Sequence, residues 1–209
     1  MAVTALQLRE VFRAGRSIGG DLAGVTPSAY TVLDSHLPGG GWPRGAVTEL
    51  QLRQHGIGEI RLIAPALACV EGVIAFVDPP ADPCLAALSR FAIDSDRLLV
   101  VRPTSPQDRQ WAAEQLLGVA GAVLLWESAP TQDRPIRRLQ VAAAHGRSLC
   151  FVLAPPGAHP IAAPLRLGLT PEAGRLRVNI LKRRGASGAV LHLDIDRDLD
   201  SASLPAARP

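Results

Sequence analysis

The sequence predicts an α/β fold built on a mainly parallel sheet, with antiparallel pairing at one edge near the C-terminus. Three observations predict it. From Ala46 to Leu153, short β-branched, apolar runs alternate with helix-spaced segments of roughly ten to fifteen residues. The runs are continuously apolar, the pattern of strands covered on both faces. After Leu165 the pattern changes to three strand-like runs separated by turn signals, which suits hairpins.

Each element follows from local chemistry. Residues 4–14 have the spacing of a short amphipathic helix, with Leu6, Val11 and Phe12 toward one side, and a Gly/Ser/Pro-marked connector runs to Pro27. Ser28–Leu37 ends at the cluster Pro38-Gly-Gly-Gly-Trp-Pro-Arg-Gly45. Neither Lys nor Ser/Thr follows those glycines directly, so they read as a tight connection. Ala46–Leu52 is a strand and Gly58–Glu71 a helix, with Pro65 a kink or early-turn feature. Gly72–Val77 is a second buried strand, closed by Asp78-Pro-Pro-Ala-Asp-Pro83. Cys84–Phe91 reads as a helix, Arg97–Arg102 as a strand, and Ser105–Val119 as a helix capped by Ser105. Ala122–Trp126, Ile136–His145 and Ser148–Leu153 continue as strand, helix and strand. Leu165–Leu169, Leu176–Lys182 and Ala189–Ile195 form the antiparallel edge, with turns at 171–174 and 185–188. The division is an N-terminal helix and linker over 1–27, a core over 28–195, and a polar, Pro-rich flexible tail over 196–209.

Composition narrows the function. With 209 residues and 47% hydrophobic content the chain can bury one sizeable core. A net charge of +3, with one lysine (Lys182) among 22 basic residues, permits a polyanionic partner without demanding one. No basic stripe is interleaved with aromatics, so sequence reading of DNA is not expected. Arg134, Arg137 and Arg138, with Arg109 on the preceding helix, read either as a solvated face or as a weak contact for a partner or DNA backbone. Cys69, Cys84 and Cys150 are far apart in apolar surroundings and read as buried core thiols of a reducing cytosol. The N-terminus lacks the plan of a signal peptide, and the apolar stretch from Leu62 to Val77 is too short to span a bilayer, so a cytoplasmic chain without membrane contact is expected. The five histidines have no ligand spacing, and no G-x-S-x-G elbow is present. The alternate aspartates of Asp194–Asp200 lack the glycine and closing glutamate of a calcium loop and read as the solvent side of an edge strand. No metal and no cofactor is expected.

The segment Gln51-Leu-Arg-Gln-His-Gly-Ile-Gly-Glu-Ile-Arg61 stands between a strand and a helix, where α/β nucleotide-binding proteins keep a phosphate loop. Such a loop cradles the anion with backbone N–H groups, while a lysine neutralises phosphate and a Ser/Thr hydroxyl holds magnesium. Gly56 and Gly58 are in place, but Glu59 and Ile60 follow them.

Four phrases carry a family resemblance: Leu33-Asp-Ser-His-Leu-Pro-Gly-Gly-Gly-Trp-Pro-Arg-Gly-Ala-Val-Thr-Glu-Leu50, Ala75-Phe-Val-Asp-Pro-Pro-Ala-Asp-Pro83, Phe91-Ala-Ile-Asp-Ser-Asp-Arg-Leu-Leu99 and Arg177-Val-Asn-Ile-Leu-Lys-Arg-Arg184. In this order and spacing the chain resembles the RecA recombinase core and, more closely, its degenerate relative, the ImuA family. The resemblance covers roughly residues 28–195 and implies a RecA-like three-layer sandwich. It places Glu59 at the phosphate-loop lysine, Ile60 at the hydroxyl, Trp126 at the metal-binding acid and Pro80 at the catalytic glutamate, so no ATPase activity is expected. The segments where RecA carries DNA-binding loops are short, so strand exchange is not expected either. The implied role is a non-catalytic adaptor in SOS-induced translesion synthesis and mutagenesis. Its partners would be an ImuB-like Y-family relative, RecA and, through the former, an alternative C-family DNA polymerase. Lys182, Arg183 and Arg184 occupy the stretch that reaches a neighbouring subunit's ATP in RecA, and read either as a solvated strand end or as a docking finger. The N-terminal arm with Leu6, Val11 and Phe12 packs either on its own domain or on a neighbouring protomer. The alternative function is a SulA-type cell-division inhibitor that binds FtsZ.

Overall fold

The computed structural model describes residues 24–157, 162–184, 188–196 and 199. The arm around Leu6, Val11 and Phe12, and the tail from 200 onward, lie outside the described residues.

A two-residue strand, β1 (Val25–Thr26), pairs antiparallel with β2 (Trp42–Pro43), and a one-turn helix, α1 (Thr31–Asp34), lies between them in sequence. The chain then alternates through β3 (Ala46–Leu52), α2 (Glu59–Cys69), β4 (Ile74–Val77), α3 (Leu85–Ser89), β5 (Leu98–Val101), α4 (Pro106–Leu117), β6 (Ala122–Trp126), α5 (Asp133–Gly146) and β7 (Leu149–Ala154). It closes with β8 (Leu165–Glu172), β9 (Arg175–Lys182) and β10 (Val190–Leu193). The eight strands from β3 onward form one sheet in the order β10-β9-β8-β3-β7-β6-β4-β5. Six of them run parallel, and β9 pairs antiparallel with both β8 and β10.

Side-chain alternation sorts the strands into two cores. Leu50, Phe76, Leu124 and Phe151 face one layer with Leu33, Leu62, Leu67 and Leu88 from α1, α2 and α3. Val47, Ala75, Val123 and Val152 face the other, with Leu116 and Leu117 from α4 and Ile136 and Leu139 from α5. All of these are buried, each large side chain contributing roughly 1.5–3 kcal/mol. The result is the three-layer α/β sandwich expected, with its antiparallel edge near the C-terminus.

Boundaries depart from expectation where turns decide them. β1 and β2 fall in segments read as a connector and a turn. Gly41 is required there, because a Cβ at that position would lie 2.5 Å from the Thr26 carbonyl oxygen. β8 runs on to Glu172 because its hairpin with β9 continues past the last pair it makes with β3, Leu52↔Leu169. Pro171 is tolerated because its side of the strand has no β3 partner. Cys84 is exposed, against the expectation of three buried thiols. The prolines before it carry the chain onto the surface and delay α3 to Leu85.

The central strand also carries a buried charge that its apolar appearance hides. Glu49 is fully buried and stands opposite Arg166 of β8. Arg166 Nε donates to Glu49 Oε2 at 2.6 Å, Gln51 Nε2 donates to the same oxygen at 3.1 Å, and the Thr131 hydroxyl donates to Oε1. This cluster ties the loop before α5 to the middle of the sheet. Removing one partner strands a buried charge, whereas removing both does not. Arg166→Met is therefore expected to cost about 3–5 kcal/mol, and the double variant Glu49→Leu/Arg166→Met clearly less, as read by urea unfolding.

Candidate functional site

The parallel strands end on one side of the sheet, and two of their exits diverge there. β4 leads to α3 on one face, while its neighbour β6 leads to α5 on the other. A crevice opens where connections diverge in this way, and such crevices are where open α/β sheets hold ligands. The loop 53–58, between β3 and α2, borders the same end.

Within that loop Gly58 caps α2 in the left-handed region at φ 106°, and Leu62 N–H donates to the Gly58 carbonyl at 2.9 Å. The first helical residue, Glu59, turns its side chain back into the loop. Its Oε1 accepts from the Gly56 N–H at 2.8 Å and its Oε2 from the Ile57 N–H at 2.9 Å. The residue is only 3% exposed. Backbone donors and the positive end of a helix thus converge on an anion, as they do around a phosphate, but the anion is part of the chain. At the sequence level Glu59 appears only as a charge hostile to phosphate; in the structure it takes the phosphate's hydrogen bonds.

The C-terminal segment seals the loop from one side. A Cβ on Gly58 would meet Ile195 Cδ1 at 2.5 Å, so the Ile195 side chain lies directly on this glycine. Arg61 pairs with Asp196. Pro65 lies inside α2 and cannot donate to the Arg61 carbonyl four residues earlier. The hydroxyl of fully buried Tyr30 stands in for it, 3.2 Å from that carbonyl and 3.2 Å from the Ile195 carbonyl. Tyr30 thereby links α2 to the end of β10, a tie that nothing in the local sequence announces.

Beside the loop lies a cleft of about 450 Å³. Trp126 forms part of its lining, stacked on Phe76 with ring centroids 5.7 Å apart and planes 18° apart. Pro80 sits exposed at its rim. The crevice wall that the resemblance assigns to a metal-binding acid and a catalytic glutamate is therefore apolar.

On the other face, Arg109 of α4 bridges two carboxylates that follow β4 and β6. Its Nη1 lies 2.8 Å from Asp78 Oδ2 and its Nη2 3.0 Å from Glu127 Oε2. Asp78 holds a left-handed backbone at φ 56°. Burial pushes the Glu127 carboxyl above its usual range, the Arg109 guanidinium pulls it down, and the Asp78 charge pushes it up. Arg109 is thus bound up in this bridge and contributes little to a basic patch on α5. There, Arg137 pairs with Asp133 and Arg138 with Glu114.

The basic triplet is not a free finger. Lys182 is half-buried in register with Arg166, Arg183 donates to the His36 carbonyl, and Arg184 is exposed. Among the described residues no group of three His, Cys, Asp or Glu is placed to hold a metal ion, and no helix is long and apolar enough to cross a membrane. No protein-family model matches the chain, and comparison with curated proteins finds no match.

Replacing Glu59 leaves two loop N–H groups without their acceptor. Glu59→Ala is expected to lower stability by about 1–3 kcal/mol, and Glu59→Gln, which keeps an acceptor, by less; chemical denaturation followed by circular dichroism gives both values.

Proposed function

We propose that the chain is a non-catalytic, RecA-like adaptor of DNA-damage-induced translesion synthesis that binds an ImuB-like Y-family relative and RecA. The observation that carries the non-catalytic part is the Glu59 carboxylate, which takes the Gly56 and Ile57 N–H groups that a phosphate would need. A phosphate entering there meets a negative charge and spent donors, and no lysine or hydroxyl follows to hold it or its magnesium. The apolar surroundings of Trp126 and Pro80 agree with this, because phosphoryl transfer needs an ionised group to orient the nucleophile and the metal.

The partners rest on the resemblance to the ImuA family and on a fold of the same class. In this reading the protein makes and breaks no bond; it positions a polymerase at a lesion. Arg184 and the arm carrying Leu6, Val11 and Phe12 are the candidate contacts.

Affinity purification of the tagged full-length chain from cells treated with a DNA-damaging agent tests the reading. Co-purification of an ImuB-like protein and RecA, without FtsZ, is the expected result. Capture of FtsZ in their place, together with inhibition of FtsZ assembly by the purified chain, makes it a SulA-type division inhibitor instead. Steady turnover of magnesium ATP by the purified chain overturns the non-catalytic part.

A further inference from the structure

A groove of about 950 Å³, open to solvent, runs between α4 and α5. We propose that it docks an acidic amphipathic helix of a partner protein, whose apolar side chains cover Val141 and whose carboxylates meet Arg134, Arg137 and Arg138. This goes beyond the adaptor reading and does not depend on it.

The groove has the length and the apolar floor that such a helix needs. One wall is α5 from Asp133 to His145, about 18 Å at 1.5 Å per residue; the other is the end of α4 and the turn after it, from Glu114 to Val119. It is too open to enclose a small molecule, and its length matches about three turns of helix laid along it. Val141 is 72% exposed, the most exposed large apolar side chain among the described residues, and Val119 and Ala142 line the groove with it. Trp111, also exposed, stands one turn before Gln115 on the same face of α4 and extends the apolar surface. Exposed apolar side chains gathered in this way, rimmed by charge, mark a surface that a partner covers.

Charge selects the partner. The lining carries three guanidiniums, Arg134, Arg137 and Arg138, against two carboxylates, Glu114 and Asp133, with His145 at the far end. Both carboxylates are already engaged. Glu114 accepts from Arg138 Nη2 at 2.7 Å and from Gln110 Nε2 at 2.8 Å, and Asp133 accepts from Arg137 Nη2 at 2.8 Å and Nε at 3.1 Å. The Glu114 side chain is 13% exposed and that of Arg138 57%, so the acid lies beneath its cation. Arg137 and Arg138 keep N–H donors beyond these pairs, and exposed Arg134 pairs with no acid among the described residues. Arg134 stands in the first turn of α5, where the helix dipole also favours an anion, Arg137 and Arg138 in the second, and Val141 and Ala142 in the third. The occupant therefore has carboxylates toward one end and apolar side chains toward the other. A nucleic acid suits the groove less well, because binding through phosphate charge leaves Val119 and Val141 uncovered.

Fluorescence anisotropy with the purified full-length chain tests this. The probe is a fluorescein-labelled helical peptide of about fourteen residues, with glutamates in one half and a leucine face in the other; its control carries lysine at each glutamate position. At about 0.15 M salt the glutamate peptide is expected to bind about tenfold tighter than the control. Val141→Glu should weaken it about tenfold, and Arg134→Glu about fivefold. Arg90→Glu makes the same charge change after α3, on the other face of the sheet, and should leave the affinity unchanged. All three positions are exposed, and circular dichroism confirms that each variant folds. The proposal is overturned if the glutamate peptide does not bind, if the lysine control binds equally well, if Val141→Glu has no effect, or if Arg90→Glu weakens binding as much as Arg134→Glu. A thymidine oligonucleotide that displaces the peptide, and whose affinity falls in Arg134→Glu but not in Val141→Glu, would make the groove a phosphate contact and overturn it. Self-association of the chain in sedimentation that Val141→Glu disperses would make a second copy the occupant, and overturns it too.

Discussion

Glu59 is the first residue of a helix, is almost wholly buried, and forms no ion pair among the described residues; two backbone N–H groups of its own loop hold it instead. That single arrangement fixes much of what surrounds it. It holds the backbone of Gly56 and Ile57 just ahead of α2, next to the left-handed Gly58. Once Gly58 lacks a side chain, Ile195 can lie on it, and the end of β10 closes over the loop. Tyr30 then joins α2 and the segment after β10 through one hydroxyl. The loop is a joint between α2 and the segment that follows β10.

The functional consequence is a division of labour between the two faces of the sheet. On the α2 and α3 face the strand ends are apolar, closed at the loop and open at the cleft beside Trp126. On the α4 and α5 face the strand ends are charged but internally paired, through Arg109 with Asp78 and Glu127, and through Glu49 with Arg166. The proposed adaptor role uses such a domain for its surfaces, not for chemistry at its strand ends.

How far the sequence disclosed this depended on distance along the chain. The parallel strands were legible because both their faces are buried and they read as unbroken apolar runs. The Ser105 cap was legible because its bond to Asp108 N–H spans three residues. The loop was recognisable from Gly56 and Gly58, and the identity of Glu59 argued against phosphate. Its inward orientation was not readable, because Ile195 and Tyr30, which enclose it, lie far away in sequence. Glu49 escaped notice for the same reason: its partner Arg166 is brought opposite it only when β8 pairs with β3. Cys84 was misplaced because an apolar neighbourhood in sequence, followed by a short amphipathic turn, need not be buried when prolines hold it at the surface.

The loop's state is most directly read from its own amides. In a ¹H–¹⁵N spectrum of the full-length protein titrated with magnesium ATP, the resonances of Gly56, Ile57, Gly58 and Glu59 should stay where they are, because the Glu59 carboxylate already holds the Gly56 and Ile57 donors. A saturable shift of those four resonances would show that a nucleotide displaces the carboxylate, and would contradict the claim that the loop's anion place is filled by the chain itself.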